Sequence, residues 1–424
     1  MKVLVVGNGG REHALAWKLL QSQRIRQVIC VPGNGGTATM KGCQNLPLRV
    51  DDFEGIARFA MVQNVSLVVV GPELPLALGI TDYLLQKHPN LMVFGPTKVG
   101  AQIEASKSWA KTLMQSAGIP TPYFASFTDM ETAIAYVKTQ GVPIVVKADG
   151  LAAGKGVTVA TTMEEAIAAV EALFKQEFRT VVVEEYVTGQ EVSVLALTDG
   201  LTVRPLVPAQ DHKRIGEGDT GENTGGMGVY APAPLATPEL MQRIQTEILQ
   251  PTVEALRQQG IDYRGVLYAG LMITPQGDPK VLEFNCRFGD PETQAILPLL
   301  ETPLEDLILA CTQQQLEQLP EIAWKPEASA CVVAAAQGYP GSFRKGDAIA
   351  GIEQAETEGA VVFQAGTQLK QQQLVTDGGR VLGVTAIGET FEQAIKKAYA
   401  AMDCIQFEGI YYRRDIGHAV VRRH

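Results

Sequence analysis

Long apolar runs are missing from this 424-residue chain: no stretch approaches the roughly 18 uncharged apolar residues that a membrane-spanning helix requires. A membrane partner is therefore not expected. The first residues, MKVLVVGNGG, pass straight into a strand-and-turn pattern, without the charged region and apolar segment of a secretion signal. Cysteine is scarce. The six present (Cys30, Cys43, Cys286, Cys311, Cys331 and Cys404) lie far apart and form no CxxC pair, which fits reduced, mostly buried thiols of a cytoplasmic protein. Positive charge is outnumbered, with 36 Lys and Arg against 46 Asp and Glu, and the net charge of −10 argues against a nucleic-acid-binding surface. An acidic chain that handles anions has to do so locally, with individually placed lysines, arginines and metal ions. Internal repeats and low-complexity tails are also lacking.

What is present suits packed cores: 46% hydrophobic residues over a length that suggests two to four domains. KVLVVG (2–7), QVICVPG, SLVVVGPE and LMVFGP each read as an apolar strand ending in a Gly/Pro loop. Segments of helical period, such as REHALAWKLLQS and DDFEGIARFAMVQN, separate them. This alternation predicts an open parallel sheet with helices on both faces over residues 1–102. AQIEASKSWAKTLMQSAG predicts one helix closed by Gly118. Beyond it, the strands IVVKAD, VTVATT and VVVEEYV and the helix MEEAIAAVEALFKQ outline a compact α+β unit over about 121–190. A longer α+β stretch completes 103–328, and 329–424 reads as a small β-rich unit around ACVVAAAQGYPG and GGRVLGVTAIG.

KADGLAAGKGV (147–157) is either a Gly-rich turn with a solvated lysine or a loop whose ammonium and N–H groups hold a polyphosphate. It is not a P-loop, because GxxxxGK[ST] requires glycine where Asp149 stands and Ser or Thr at Gly156. GNGGRE supplies Gly7 and Gly9 of a dinucleotide fingerprint, but the third glycine position is Glu12. The second strand then ends in Val31-Pro32 with no acid to hold a ribose, so a dehydrogenase is not expected. The turn is a plain βα turn, or one whose glycines and helix N-terminus receive a single phosphate monoester.

VVVEEYVTGQEVSV (181–194) carries Glu184, Glu185 and Glu191, as solvated strand-end acids or as carboxylates reaching an adenine amino group and ribose. In KVLEFNCRFGDPETQ (280–294), Glu283 and Asn285 are two apart on a strand and share one face, with Phe284 and Cys286 on the other. A carboxylate beside an amide oxygen is a hard donor pair suited to Mg²⁺, which keeps waters and takes further ligands from phosphates. The alternative is an exposed polar strand face. Arg287 joins that face if the strand stays extended, and it can bind a carboxylate or phosphate through two parallel hydrogen bonds. QDHKRIGEGDTGENTGGMG (210–228) is a long glycine-rich loop of the kind that carries function. Its lone His212 reads as a structural hydrogen-bonding group.

VGNGGREHALAW, PGNGGT, VGPE, FGPT, KADGLAAGKGV, QDHKR, NTGGMG, YAGLMI, EFNCRFGDPETQ, AGT and GGRVL together resemble the ATP-grasp superfamily. At closer range they resemble its phosphoribosylamine–glycine ligase family, over nearly the full length. The resemblance implies a Rossmann-like first domain, an ATP-grasp domain with a mobile lid, and a small C-terminal domain. It implies ATP-dependent ligation of glycine to 5-phosphoribosylamine through glycyl phosphate, with Mg²⁺ or Mn²⁺, early in purine synthesis. Lys107, Lys147 and the loop Gly154-Lys155-Gly156 would contact phosphates. Glu184 and the backbone of Glu185 and Val187 would hold adenine, Glu191 the ribose, and Glu283 and Asn285 the metal. Arg287 and Lys155 are the implied catalytic cations. Gly9, Gly10, Gly33 and Asn34 would line the phosphoribosylamine site. Glu73, Asp211, Lys213, Thr224, Gly225, Gly226, Met227 and Asp290 would contribute to the substrate pockets. Transient contact with the enzyme supplying phosphoribosylamine is left open.

One departure stands out. Many grasp enzymes carry a second acidic metal ligand on the strand before the Glu-x-Asn strand, and LYAGLMI has none. Rival readings are a sister ATP-grasp carboxylase or formate-using ligase, and a non-catalytic nucleotide-binding regulator. A carboxylase is not expected to carry the NTGGMG and QDHKR loops, and a regulator has no need to keep Lys147, Lys155, Glu283 and Arg287 together.

Overall fold

The computed structural model describes residues 1–151, 156–176 and 178–421. Its first sheet grows from the apolar runs β1 (Lys2–Gly7), β2 (Gln27–Pro32), β4 (Leu67–Val70) and β5 (Met92–Phe94), with the short polar edge strand β3 (Cys43–Asn45) added beside β2. All pair in parallel, in the order β3-β2-β1-β4-β5. Val3 to Val6 are fully buried, as expected of a strand covered on both faces. Strand order reverses between β1 and β4, so the turns after them, bearing Gly9 and Glu73, meet at the crevice where such sheets bind ligands. Glu12 fills the floor of this turn: its carboxylate accepts the Gly9 N–H at 2.6 Å, and a Cβ on Gly71 would meet it at 2.0 Å. Glu12 thus stands where the dinucleotide fingerprint would have its third glycine.

The single helix expected over 101–118 is two, Gln102–Ala105 and Lys107–Ser116. Ser106 breaks it with an extended backbone, and its hydroxyl caps the Trp109 N–H at 3.2 Å. A serine that offers a competing cap favours a new helix start over continuation.

Strands β6 (Phe124–Phe127), β7 (Ile144–Ala148), β8 (Val157–Ala160) and β9 (Val181–Glu185) make an antiparallel sheet of order β6-β9-β7-β8. The helices Met130–Gln140 and Met163–Lys175 cover it, and this lid has a separate core of Ala133, Val137, Ile144, Val146, Ala166 and Val170. Below it, Val203–Pro205, Gln190–Thr198, Gly265–Ile273 and Pro279–Asn285 form the body sheet. A further sheet crosses the expected boundary at 328, because Gln210–Asp211 and Gly228–Ala231 continue the C-terminal strands Ala328–Ala335, Arg380–Gly388 and Ala360–Gln364. No helix among the described residues is long and apolar enough to cross a membrane.

The C-terminal strand Ala360–Gln364 docks directly on the N-terminal turns. His13 Nδ1 accepts the Gln364 N–H at 2.8 Å, Asn34 donates to the Gln364 carbonyl at 2.8 Å, and Trp17 stacks edge-on against Phe363 with centroids 5.4 Å apart. Burial lowers the His13 pKa from 6.5 to about 4, so the folded ring stays neutral. The unfolded ring takes up a proton below about 6.5; the stabilisation is therefore complete above that pH and is lost as pH falls from there toward 4. We predict that His13 accounts for a loss of about 2.5 kcal/mol between pH 7 and 4.5. Urea unfolding at the two pH values should show a smaller pH dependence in His13→Gln by that amount. Equal dependence in both proteins would remove His13 from the linkage.

Candidate active site

Strand Pro279–Asn285 pairs with Gly265–Ile273 across a bulge at Leu282, which puts Gly270 opposite Glu283 and Tyr268 opposite Asn285. Glu283 and Asn285 share a face, and Phe284 and Cys286 enter the core, as their spacing predicts. Burial works against the Glu283 anion, but Lys213, Lys147, Lys107 and Arg287 outweigh it and hold its pKa below the ordinary carboxylate value. Among the described residues its carboxylate accepts no hydrogen bond, while Asn285 Oδ1 accepts one from Arg287 at 3.2 Å. No cluster of three or more His, Cys, Asp or Glu suited to a metal occurs among the described residues. One free carboxylate beside one amide oxygen fits Mg²⁺, which leans on waters and phosphates, better than a metal that needs an all-protein cage.

Arg287 leaves the strand with its guanidinium between two acids. Nη2 donates to Glu104 at 2.9 Å and Nε to Glu73 at 3.3 Å. Burial disfavours its charge, and the two carboxylates more than restore it. Glu104, absent from the sequence-based site, also accepts the Cys286 N–H at 2.8 Å and so anchors two consecutive residues beyond the metal pair. It lies on the short helix before the Ser106 break. The same break starts the next helix at Lys107, whose ammonium donates to the Gly150 carbonyl at 3.0 Å. Asp149 ties the glycine loop to that helix start by accepting the Ser108 N–H at 3.2 Å. Lys107 and Lys147 therefore flank the described edge of the loop. Gly156 is buried beside it, whereas Gly154 and Lys155 lie outside the described residues.

The adenine segment departs from expectation at Glu184. This side chain is 2% exposed and paired with Lys147 at 2.8 Å and Lys111 at 3.2 Å, so its carboxylate does not reach a base. Position 184 faces the lid–body junction, where Lys147 and Lys111 meet it, while strand alternation turns Glu185 outward. Glu185 is exposed, with its N–H donated to the Tyr123 carbonyl at 2.8 Å, while the Val187 amide has no partner among the described residues. Glu191 is half exposed and paired with Lys213 at 3.1 Å. That carboxylate, ahead of burial, raises the lysine pKa well above its usual value.

The glycine-rich loop packs beside this group. Asp211 keeps one buried carboxylate oxygen without a hydrogen-bond partner among the described residues. Burial and Glu292 push its pKa well up, against the pull of Lys213 and Arg380. Gly226, at φ +117°, lets the loop pass this carboxylate; a Cβ there would come within 2.6 Å of it. Thr224 accepts the Gly226 N–H at 2.9 Å and donates to the Lys213 carbonyl at 2.8 Å. Gly225 donates to the Tyr339 hydroxyl at 3.0 Å. Met227 is not presented to the site: it is fully buried, donates to His212 and accepts from Val333, because it leads into the shared sheet. The His212 ring lies 3.3 Å from the Gly228 carbonyl, in keeping with a structural role.

At the N-terminal turn, Gly9 and Gly10 pack against Asp290 and Gln294 so tightly that a Cβ would meet them at 3.0 and 2.4 Å. Asp290 accepts from Gln294 at 2.8 Å and lies 3.5 Å from Arg380, which donates to the carbonyls of Gly225 and Asp290 at 2.7 Å each. Gly33 turns at φ +74°, where a Cβ would strike Asn45. Asn34 does not offer its amide to a ligand. It caps the helix Gly35–Thr39 by accepting from Gly36 and Thr37 and donates to Asn8, Gly9 and Gln364, so it braces the turn from behind. Arg380, Gln364 and Thr367 were also missed, although Thr367 and Arg380 lie in the AGT and GGRVL stretches that belong to the family resemblance.

Three family models match the chain: Phosphoribosylglycinamide synthetase, N domain, over residues 1–104, its ATP-grasp (A) domain over 105–293, and its C domain over 329–419. A phosphoribosylamine–glycine ligase of Nostoc sp. is 70% identical over 425 residues, covering 99% of this chain and 100% of the relative. One from Synechocystis sp. is 58% identical over 418 residues, with 99% of each chain covered. The crystal structure of the phosphoribosylamine–glycine ligase from Thermotoga maritima superposes with a TM-score of 0.84 at 34% identity, covering 98% of this chain and 100% of that one. A biotin carboxylase from Campylobacter jejuni, at TM-score 0.70 and 16% identity over 100% of this chain and 98% of the other, shares the fold alone. Matched along nearly all of its length by these family domains, the chain belongs to the phosphoribosylglycinamide synthetase family.

Proposed function

We propose that the chain joins glycine to 5-phosphoribosylamine with ATP, giving glycinamide ribonucleotide, ADP and phosphate, in cytoplasmic purine (IMP) biosynthesis. The observation that carries this reading is the convergence of Lys107, Lys147, Lys213 and Arg287 on the Glu283–Asn285 pair, in a chain of this family. ATP lies between lid and body, with adenine against the free Val187 amide and ribose at Glu191. Lys107 and Lys147 face the phosphates, and the part of the Gly154-Lys155-Gly156 loop in holding them rests on the family resemblance, since Gly154 and Lys155 lie outside the described residues. Glu283 and Asn285 would hold Mg²⁺ or Mn²⁺, which when bound neutralises phosphate charge. Arg287 orients the glycine carboxylate for attack on the γ-phosphorus. A carboxylate oxygen–phosphorus bond forms, the bond to the bridging oxygen breaks, and ADP leaves. The sugar amine then attacks the acyl carbon of glycyl phosphate, loses a proton, and expels phosphate. Gly9, Gly10 and Gly33 admit the sugar phosphate, Asn34 braces their turn, and Glu73, Asp211, Lys213, Thr224, Gly225, Gly226 and Asp290 shape the substrate pockets.

A covalent enzyme intermediate has no support at the metal strand. Cys286, its nearest thiol, points into the core, and burial beside Glu104 pushes its pKa well up. Positioning and charge neutralisation suit phosphoryl transfer instead.

Glu283→Gln should lower turnover roughly 100-fold or more, equivalent to about 2.7 kcal/mol, and raise the Mg²⁺ concentration needed for half-maximal rate. Circular dichroism should be unchanged. Near-normal turnover at ordinary Mg²⁺ would remove Glu283 from the metal site.

Wild-type protein with ATP should release ADP only when both glycine and phosphoribosylamine are supplied, and not with bicarbonate plus an imidazole nucleotide. Glycine labelled with ¹⁸O in its carboxylate should pass one labelled oxygen to inorganic phosphate in each turnover. Unlabelled phosphate, with glycinamide ribonucleotide still formed, would exclude glycyl phosphate.

A further inference from the structure

Lys111, on the body helix Lys107–Ser116, is a buried lysine with no part in the reaction described above. It is 2% exposed, lies 3.2 Å from Glu184 Oε1, and donates to the Thr121 hydroxyl at 2.6 Å. Glu184 Oε2 meets Lys147 at 2.8 Å, and Lys147 also donates to the Leu282 carbonyl at 3.1 Å, one residue before Glu283. Glu184 and Lys147 stand on lid strands β9 and β7, whereas Lys111 and Leu282 belong to the body. One buried carboxylate thus joins lid to body through two lysines.

We propose that Lys111 is a positioning residue for the nucleotide: it neutralises Glu184 from the body side, so that Lys147 can turn its charge to the phosphates while Glu184 stays compensated. The inference rests on the ATP-dependent reading of the site. An ammonium has three N–H donors, and Lys147 commits two, to Glu184 and Leu282, leaving one for an incoming anion. When phosphates draw on the Lys147 charge, Glu184 depends on its other partner. Glu184 Oε1 accepts no aligned hydrogen bond among the described residues and relies on the Lys111 charge. Without that charge, a buried carboxylate would hold Lys147 back or stand uncompensated, and breaking such a pair from one side is the costly case.

The surroundings of Lys111 bear on the same point. The charged groups facing it are Glu184, Lys147 and Glu283, and its ammonium lies 5.9 Å from the Phe124 ring centre. Burial, with Lys147 adding to it and Glu184 opposing, lowers its pKa from 10.5 to about 8. A lysine that titrates there loses its charge within the pH range in which enzymes are assayed.

The test is direct binding of a non-hydrolysable ATP analogue with Mg²⁺, by calorimetry, without glycine or sugar. Lys111→Met should weaken binding at least tenfold, and Lys111→Arg should restore it to within threefold of wild type. In the double variant Lys111→Met/Glu184→Gln both charges are gone, so it folds without a stranded carboxylate and should bind as tightly as Glu184→Gln alone. A double variant several-fold weaker than Glu184→Gln would show that Lys111 acts other than through Glu184 and would overturn the proposal, as would normal binding by Lys111→Met. Wild-type affinity should fall between pH 7.5 and 9 more steeply than that of the double variant, which keeps only the slope that Lys107 contributes. Equal slopes in the two proteins would count against Lys111. Glycine-dependent ADP release by the wild type tests the ligase reading separately, since nucleotide binding alone does not require it.

Discussion

Bringing Lys107, Lys147, Lys213 and Arg287 around Glu283 sets like charges side by side in a partly desolvated place, and the resulting repulsion has to be offset before any anion arrives. The structure does this by assigning carboxylates to the cations. Glu184 serves Lys147, Glu191 serves Lys213, and Glu104 with Glu73 serves Arg287, while Lys107 leans on the Gly150 carbonyl and on Glu283. Burial alone would strip protons from the lysines, and the Lys107 pKa is in fact lowered for this reason. The carboxylates keep the cluster charged, so its geometry exists ahead of the substrate. Such preorganisation is what electrostatic catalysis requires.

The same pairings decide how the units meet. Glu184 bridges lid and body, Glu73 reaches Arg287 from the turn after β4, and Asp290 joins the N-terminal turn to Arg380 of the last unit. Each contact crosses between elements distant in sequence, so the site is assembled only when the units are docked. The C-terminal unit contributes more than a cap. Through Gln364 and Thr367 it holds the Asn34 side chain and the Gly35 N–H in the turn after β2, which the Asn34 amide ties to Asn8 and Gly9 of the turn after β1.

Much of this was legible in the sequence, for identifiable reasons. The parallel sheet announced itself because strands buried on both faces must be continuously apolar, and β1 and β4 are. Glu283 and Asn285 could be paired because strand alternation is a short-range rule that the bulge at Leu282 leaves intact between them. The failures share a cause. Ser106 sits in a segment of helical period, and only its local capping bond shows that a new helix starts there. Lys111 and Glu104 look like the solvated charges of any helix, since their partners lie far away along the chain. Met227 and Asn34 belong to motifs that resemble a substrate site, yet one is buried in a shared sheet and the other spends its amide on a cap. A motif marks a neighbourhood. Which side chains face inward is set by the contacts that fill it.

The missing second acid on LYAGLMI follows from the same charge accounting. The position opposite Glu283 is Gly270, and even a Cβ there would lie 3.3 Å from Glu283 Cγ, so a larger side chain would press on the one free carboxylate. An acid at that point would also draw on Lys213 and Arg287, whose charges are already shared with Glu191, Glu104 and Glu73. With a glycine there, Glu283 stays the only acid of the strand pair that faces the cations, and the space opposite remains for phosphate oxygens and water. Mg²⁺ accepts such ligands readily. The absence therefore belongs to a site in which the incoming nucleotide, rather than the protein, supplies the remaining negative charge.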